Sequence, residues 1–265
     1  MPQIHDIDLL FSREKRLDCQ KTGEVFLETL SSVVENGTRE LGICLPPDTY
    51  ALFEKYYALL EQKNEIVNLT SIKGAEDVAR LHFLDSLALL GFADFKNARV
   101  IDVGSGAGFP GVPLKLAEPT IKLTLIDATG KRIAFLSELC SVIGIEAACV
   151  HARAEELALT PDMREQFDIA VSRAVARLNV LCELCLPFIS VGGLFLAMKG
   201  TDSAEEIEEA QGASKRLGAE FADTFDYSIP GTEIRHRAIK IRKIAPTPTG
   251  YPRRFSKIQK SPISV

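Results

Sequence analysis

Val100-Ile101-Asp102-Val103-Gly104-Ser105-Gly106-Ala107-Gly108-Phe109-Pro110-Gly111 is the stretch on which the reading of this chain turns. An apolar, β-branched run enters a loop with glycines at 104, 106, 108 and 111, and residues 112–117 then follow a helical pattern. A tight strand-to-helix turn needs one or two glycines. Four of them let the backbone approach a ligand closely at the positive end of a helix dipole, so a cofactor loop is expected here.

Outward from the loop, β-branched runs alternate with helical stretches. Strands are expected at residues 99–103, 122–127, 147–151, 167–172, 193–198 and 238–244, which implies parallel crossovers and an open, doubly wound α/β sheet. Ligands of such sheets bind at the carboxyl ends of the strands. The first 95 residues read instead as helices. Leu52, Phe53, Tyr56, Leu59 and Leu60 follow a Pro46-Pro47-Asp48 start signal, and Val78, Leu81, Leu84 and Leu87 recur every third residue. The expected division is therefore a helical region at 1–95 packed on a core domain at 96–265. Pro246, Pro248, Gly250 and Pro252 predict that the end of the chain runs over the surface as a loop.

Gly106, Gly108 and Gly111 also satisfy the dinucleotide fingerprint GxGxxG, which makes an NAD-dependent oxidoreductase the competing reading. Two features oppose it. Asp102 would repel a pyrophosphate but suits an ammonium group, and Pro110 and Pro113 remove two N–H donors that a pyrophosphate would use. S-adenosylmethionine carries a cationic amino-acid moiety and no phosphate. Asp127, 19 residues after Gly108, is placed to accept the hydroxyls of a ribose, as it would for either cofactor. The segment from His151 to Glu156 follows the third strand, where such sheets contact the adenine.

The chain has 265 residues, 46% of them hydrophobic, and a net charge of −5. No stretch approaches the roughly 18 apolar residues of a membrane span, and Arg13, Glu14, Lys15 and Arg16 interrupt any leader-like run. Six scattered cysteines suit a reducing compartment, so a cytoplasmic protein is expected. The charge is unevenly distributed. Residues 235–265 hold nine cations (Arg235, Arg237, Lys240, Arg242, Lys243, Arg253, Arg254, Lys257, Lys260) and no acid, while the other 234 residues hold 22 Lys and Arg against 36 Asp and Glu, a charge of −14. The basic segment is the expected contact for an anionic partner.

The loop from Asp102 to Leu114, Asn68-Leu69-Thr70, His82-Phe83-Leu84-Asp85-Ser86-Leu87, Ser172-Arg173-Ala174, Ala197-Met198-Lys199-Gly200 and Gly250-Tyr251-Pro252-Arg253-Arg254 together resemble the RsmG (GidB) family of small-subunit ribosomal RNA guanine-N7 methyltransferases. The resemblance spans residues 45–262. It implies a Rossmann-like, class I S-adenosylmethionine-dependent methyltransferase sheet with an N-terminal helical extension. It further implies methylation of nucleotide 527 of 16S ribosomal RNA, in RNA numbering, with S-adenosyl-L-homocysteine as the second product. Carried over by position, cofactor contacts fall on Gly104, Phe109, Asp127, Ala128, Thr129, Ala154, Glu155 and Arg173, beside Asp102, Gly106 and Gly108 from the loop itself. The chain departs from many relatives in lacking a Trp before Asn68 and in some 20 additional N-terminal residues.

Guanine N7 carries no proton, so attack on a sulfonium methyl needs neither a general base nor a covalent nucleophile. The fourth strand accordingly ends in Ser172-Arg173-Ala174 without an Asn-Pro-Pro-aromatic motif, and no Pro-Cys nucleophile is present. Arg173 is the expected positioning residue, and Lys199 a candidate for guanine O6 or a phosphate. His82 and Asp85, one helical turn apart, read as a capping or core polar pair. Cys182 and Cys185 read as buried structural residues, and no metal is expected. A monomer acting on ribosomal RNA or the small ribosomal subunit is expected, against a non-enzymatic RNA-binding module with a vestigial nucleoside pocket.

Overall fold

The computed structural model describes residues 29–173 and 175–264, so expectations that fall on the first 28 residues and on Ala174 lie outside it. Among the described residues, α1 (Leu30–Glu40) and the amphipathic α2 (Thr49–Val67) come first, the latter burying Phe53, Tyr56, Leu59 and Leu60. The segment expected as one helix is instead α3 (Ala75–Val78), a π-helical turn (Ala79–Leu84), α4 (Asp85–Leu87) and a 3₁₀ turn (Ala88–Gly91). The extra residue of the wide turn rotates the side chains beyond it, so that His82 to Leu89 are all buried while Leu81 is not.

The sheet then builds as expected from β1 (Arg99–Val103), α5 (Gly111–Ala117), β2 (Lys122–Asp127), α6 (Gly130–Ile143), β3 (Ala147–His151), α7 (Ala154–Leu157), β4 (Phe167–Arg173), α8 (Leu178–Cys185) and β5 (Ile189–Gly200). After α9 (Ala204–Arg216) come β6 (Ala219–Ser228), β7 (Arg235–Lys243) and α10 (Phe255–Lys260). The strand order is β3-β2-β1-β4-β5-β7-β6, parallel through β5, with β7 antiparallel to both its neighbours. The chain leaves β1 toward β2 and returns on its other side as β4. Their carboxyl ends form the switch point where a ligand crevice opens.

Alternate residues of each strand feed two cores. Val100, Leu125, Val171 and Leu196 pack with the N-terminal helices, α5 and α6 on one face; Ile101, Ile126, Ala170, Ala197 and Ile241 pack with α8 and α9 on the other. The N-terminal helices thus share one continuous core with the sheet. Cys182 and Cys185 lie fully buried in the second core. β6 went unrecognised in the sequence because it is an edge strand bearing Glu220, Asp223 and Asp226, and a register shift between Phe221 and Asp223 breaks its alternation.

The basic segment is part strand and part loop. Residues 235–243 form β7, where a strand is expected at 238–244, and residues 244–254 run without helix or strand to α10, as the prolines predict. The correction concerns the charge, because several of the nine cations are paired. Arg237 makes a two-pronged bond to Asp226. Lys243 is fully buried, donating to Leu186 O at 2.8 Å and to Thr247, with Glu165 at 3.3 Å. Burial lowers its ammonium to about 8. Arg253 forks onto Glu183 at 2.8 and 2.6 Å, and Glu183 also accepts the Arg253 N–H, although it has no solvent exposure. Breaking such a pair strands a buried charge. Glu183→Ala is therefore expected to lower stability by about 3–5 kcal/mol in urea unfolding; an unchanged midpoint would contradict the anchoring role.

Candidate active site

The glycine loop leaves β1 and is held partly by the end of β2 and partly by its own turn. Gly104 and Ser105 N–H donate to Ile126 O at 2.9 and 3.0 Å, Gly106 N–H to Asp127 Oδ2 at 3.1 Å, and Gly108 and Phe109 N–H to Ser105 O at 2.7 and 3.1 Å. Gly111 N–H donates to Asp102 Oδ2 at 2.8 Å, and Pro110 has none to give. With six amides engaged internally, the loop offers no fan of donors to a pyrophosphate, which counts against the dinucleotide reading. Two glycines are sterically required. Gly104 has φ +76°, and a Cβ there would lie 2.6 Å from Val175; Gly108 has φ +105°, and a Cβ would lie 2.5 Å from the Tyr56 hydroxyl.

Asp102 does not take the expected place beside a cofactor ammonium. It is wholly buried beneath the loop, with Oδ2 on Gly111 and Oδ1 lacking any hydrogen-bond partner. Burial pushes its carboxyl up to about 7, against the opposing Gly111 N–H. Its geometry is that of a cap for α5. Gly108 likewise lies outside the cavity lining, packed against Tyr56.

A cavity of about 450 Å³ opens above the loop. Gly104, Gly106 and Phe109 form its floor, and Asp127, Ala128 and Thr129 one wall. Ala154, Glu155 and Arg173 also line it, so nine of the expected site residues converge. Asp127 Oδ1 accepts the Thr129 N–H at 2.8 Å, and Oδ2 meets Gly106 N–H and, at 3.4 Å, Arg132. That leaves acceptor capacity on a nearly buried carboxylate at the end of β2. Arg153 pairs with Glu155 at 2.8 Å and lies over the Phe255 ring at 4.9 Å, bringing α10 to the rim. Nothing in the local sequence marks Phe255, which reaches the site from the far end of the chain.

Opposite Asp127, Arg173 ends β4 inside a buried polar network. Its Nη1 donates to Leu81 O in the π turn at 3.0 Å and to Asp85 Oδ2 at 2.9 Å, and its Nη2 to His82 Nδ1 at 2.8 Å. Its guanidinium stands over the Phe109 ring at 5.0 Å. His82 stacks on the same ring at 4.3 Å and meets Thr70 Oγ1 through Nε2 at 2.7 Å. Asp85 Oδ1 accepts from Tyr227 and His236, each at 2.8 Å. His82 and Asp85 are both buried polar groups of the core, joined through Arg173 and not to each other, and His82 is also part of the site, because it lines the cavity. Tyr227 and His236 come from β6 and β7, which no local motif announced.

Burial, reinforced by the charge of Arg173, lowers His82 to about 3. For Asp85, burial is outweighed by hydrogen bonds from His236 and Tyr227 and by the charge of Arg173, which hold its carboxyl below the usual value. Lys199 is a correction. It lies outside the cavity lining, its ammonium donating to Ala176 O at 2.6 Å and pairing with Glu206 at 2.8 Å, so it fastens the loop after β4 to α9.

The sheet order and glycine loop are those of the class I methyltransferase fold. Solved structures share the fold: a methyltransferase from Pyrococcus furiosus (TM-score 0.51, 11% identity, 72% of this chain and 98% of that one) and a branched-chain polyamine synthase from Thermus thermophilus (0.54, 14%, 80% and 66%). A family model described as rRNA small subunit methyltransferase G matches residues 49–229. Proteins of that name from Thermoanaerobacter sp. strain X514 and Alkaliphilus oremlandii are 45% and 44% identical, over 86% and 88% of this chain and 95% and 99% of their own. The chain belongs to the ribosomal RNA small subunit methyltransferase G family. Among the described residues, no helix is long and apolar enough to cross a membrane, and no group of three or more His, Cys, Asp or Glu is arranged to hold a metal.

His236 supplies a pH test. Its hydrogen bond to Asp85 raises its value above 6.5, so its stabilising contribution is complete below pH 6.5 and lost as pH rises through the raised value. The stability gap between wild type and His236→Gln, measured by urea unfolding, should narrow as pH increases above 6.5; a gap that widens would contradict the pairing.

Proposed function

We propose that this chain transfers the methyl group of S-adenosyl-L-methionine to N7 of one guanine in 16S ribosomal RNA, nucleotide 527 in RNA numbering, as a cytoplasmic monomer. The observation that carries the N7 assignment is that each titratable group lining the cavity already has a partner, Asp127 keeping acceptor capacity only for the ribose in this reading. His82 is neutral and its Nδ1 lone pair faces Arg173, Glu155 pairs with Arg153, and Asp127 braces the loop. None is a free base. An exocyclic amine or a ring carbon would need a proton removed or a nucleophile supplied; N7 needs neither.

Asp127 would accept the ribose hydroxyls, and Ala128, Thr129, Ala154 and Glu155 would flank the adenine. The methionine end would lie over Gly104 and Gly106, toward Phe109 and the Arg173 network. The bound cofactor supplies an electrophilic methyl. The protein supplies alignment, which for reactants held in attack geometry contributes roughly 7–11 kcal/mol. Arg173 acts here as a positioning residue, because its fork holds His82, Asp85 and the π turn in place.

Ribosomal RNA would be engaged by the cations that the fold leaves exposed, chiefly Arg254 and Lys257, which bracket the rim residue Phe255, with Arg235 at the same end of the sheet. Replacing Arg254 and Lys257 by Gln should flatten the salt dependence of RNA binding by about 0.7 in log–log slope for each phosphate that is no longer neutralised. An unchanged slope would remove them from the interface. The reaction itself is tested by mass spectrometry of 16S RNA from a strain lacking the gene. N7-methylguanosine should be absent and return on complementation; its persistence in the deletion strain would refute the assignment.

A further inference from the structure

Thr70 sits three residues beyond the end of α2, after Asn68 turns the chain with φ +52°. Its backbone is gripped on both sides by Asn64, whose Nδ2 donates to Thr70 O at 2.8 Å and whose Oδ1 accepts the Thr70 N–H at 2.9 Å. Thr70 lines the cavity beside His82 and Phe109. It belongs to the Asn68-Leu69-Thr70 motif, which the cofactor contacts leave without a role.

The polarity of its hydroxyl is fixed from a distance. A guanidinium only donates, so His82 Nδ1, 2.8 Å from Arg173 Nη2, presents a lone pair. The neutral ring therefore carries its proton on Nε2 and donates it to Thr70 Oγ1 at 2.7 Å. The Ile72 N–H donates to the same oxygen at 3.1 Å. Both acceptor positions of Oγ1 are filled, and the hydroxyl proton remains to be given. Among the described residues no acceptor takes it.

We propose that the Thr70 hydroxyl donates to O6 of the target guanine, selecting guanine over adenine and turning N7 toward the methyl group. This rests on the N7 assignment above. O6 and N7 are adjacent acceptors on the same base edge, so a donor on O6 orients the base while leaving the N7 lone pair free. Adenine presents an amine at that position, placing donor against donor. The relay cannot invert to accommodate it, because reversal through Thr70 and His82 ends at an arginine that cannot accept. The mismatch leaves polar groups unpaired in a cavity, the circumstance in which hydrogen bonding discriminates strongly.

The test combines Thr70→Val and Thr70→Ser with small subunits whose 16S RNA carries guanosine or 6-thioguanosine, a poorer acceptor, at the target position. Thr70→Val should lose roughly tenfold in kcat/KM on guanosine, the scale of one neutral hydrogen bond, while its affinity for S-adenosylhomocysteine by calorimetry stays within about twofold. Thr70→Ser should restore most of the activity. The thio substitution should cost wild type about the same factor and Thr70→Val little more. Additive losses would overturn the proposal, and a matching loss of S-adenosylhomocysteine affinity would reassign the hydroxyl to the cofactor. If Thr70→Val fails to fold, wild type and Thr70→Ser alone decide, since indifference of both to the sulfur substitution also overturns it. Product analysis separates the two claims: methylation of the control RNA away from N7 would defeat the reaction assignment itself, and this proposal with it.

Discussion

The buried contact between Arg173 and Asp85 organises this molecule. A carboxylate with 1% side-chain exposure, at the start of α4 directly after the π turn, meets a guanidinium at the carboxyl end of β4 at 2.9 Å. Two desolvated charges persist in such a place only when their remaining donors and acceptors are satisfied. Here Leu81 O and His82 take the rest of the guanidinium, while Tyr227 and His236 take the rest of the carboxylate. One network thereby ties the N-terminal helices to β4, β6 and β7. It also explains why the N-terminal helices share a core with the sheet, since the cavity wall is built from both.

The site's chemistry is set by what this arrangement uses up. Loop amides turn inward, His82 gives its lone pair to Arg173, and the acids along the cavity are bonded. What remains is a shaped space lined by the carboxylate of Asp127 and by Phe109, stacked on by His82 at 4.3 Å and by Tyr56 at 5.4 Å. Such a space can align two reactants and exclude most proton-transfer chemistry. That restriction suits a nucleophile with an available lone pair and no proton to lose.

The features legible in the sequence were those with a local signature. Alternating apolar runs marked β1 to β5 and the glycine loop, and the spacing from Gly108 placed Asp127 on the cavity wall. Pairings between distant segments were not legible. Counting nine cations near the end of the chain suggests a solvated basic surface, yet Lys243 lies in an interior strand and Arg253 meets Glu183, 70 residues earlier in sequence. Glu183 is one charged residue in an otherwise apolar stretch of α8, and nothing local marks its partner. Asp102 shows the same ambiguity at short range, since a carboxylate before a glycine loop can face a ligand or cap the helix beyond, and burial decides for the cap. The His82 and Asp85 spacing assumed an α-helix, and the π turn changed where those side chains point.

Arg173 is bonded to Leu81 O, Asp85 and His82, and the proposed role has it keep those bonds when the cofactor binds. A crystal structure of the protein with S-adenosylhomocysteine tests this most directly. The ribose hydroxyls are predicted on Asp127, the adenine near Ala154, and Arg173 still bonded to Asp85, His82 and Leu81 O. Arg173 released from Asp85 and turned onto the ligand carboxylate, or the ligand bound away from Asp127, would contradict it.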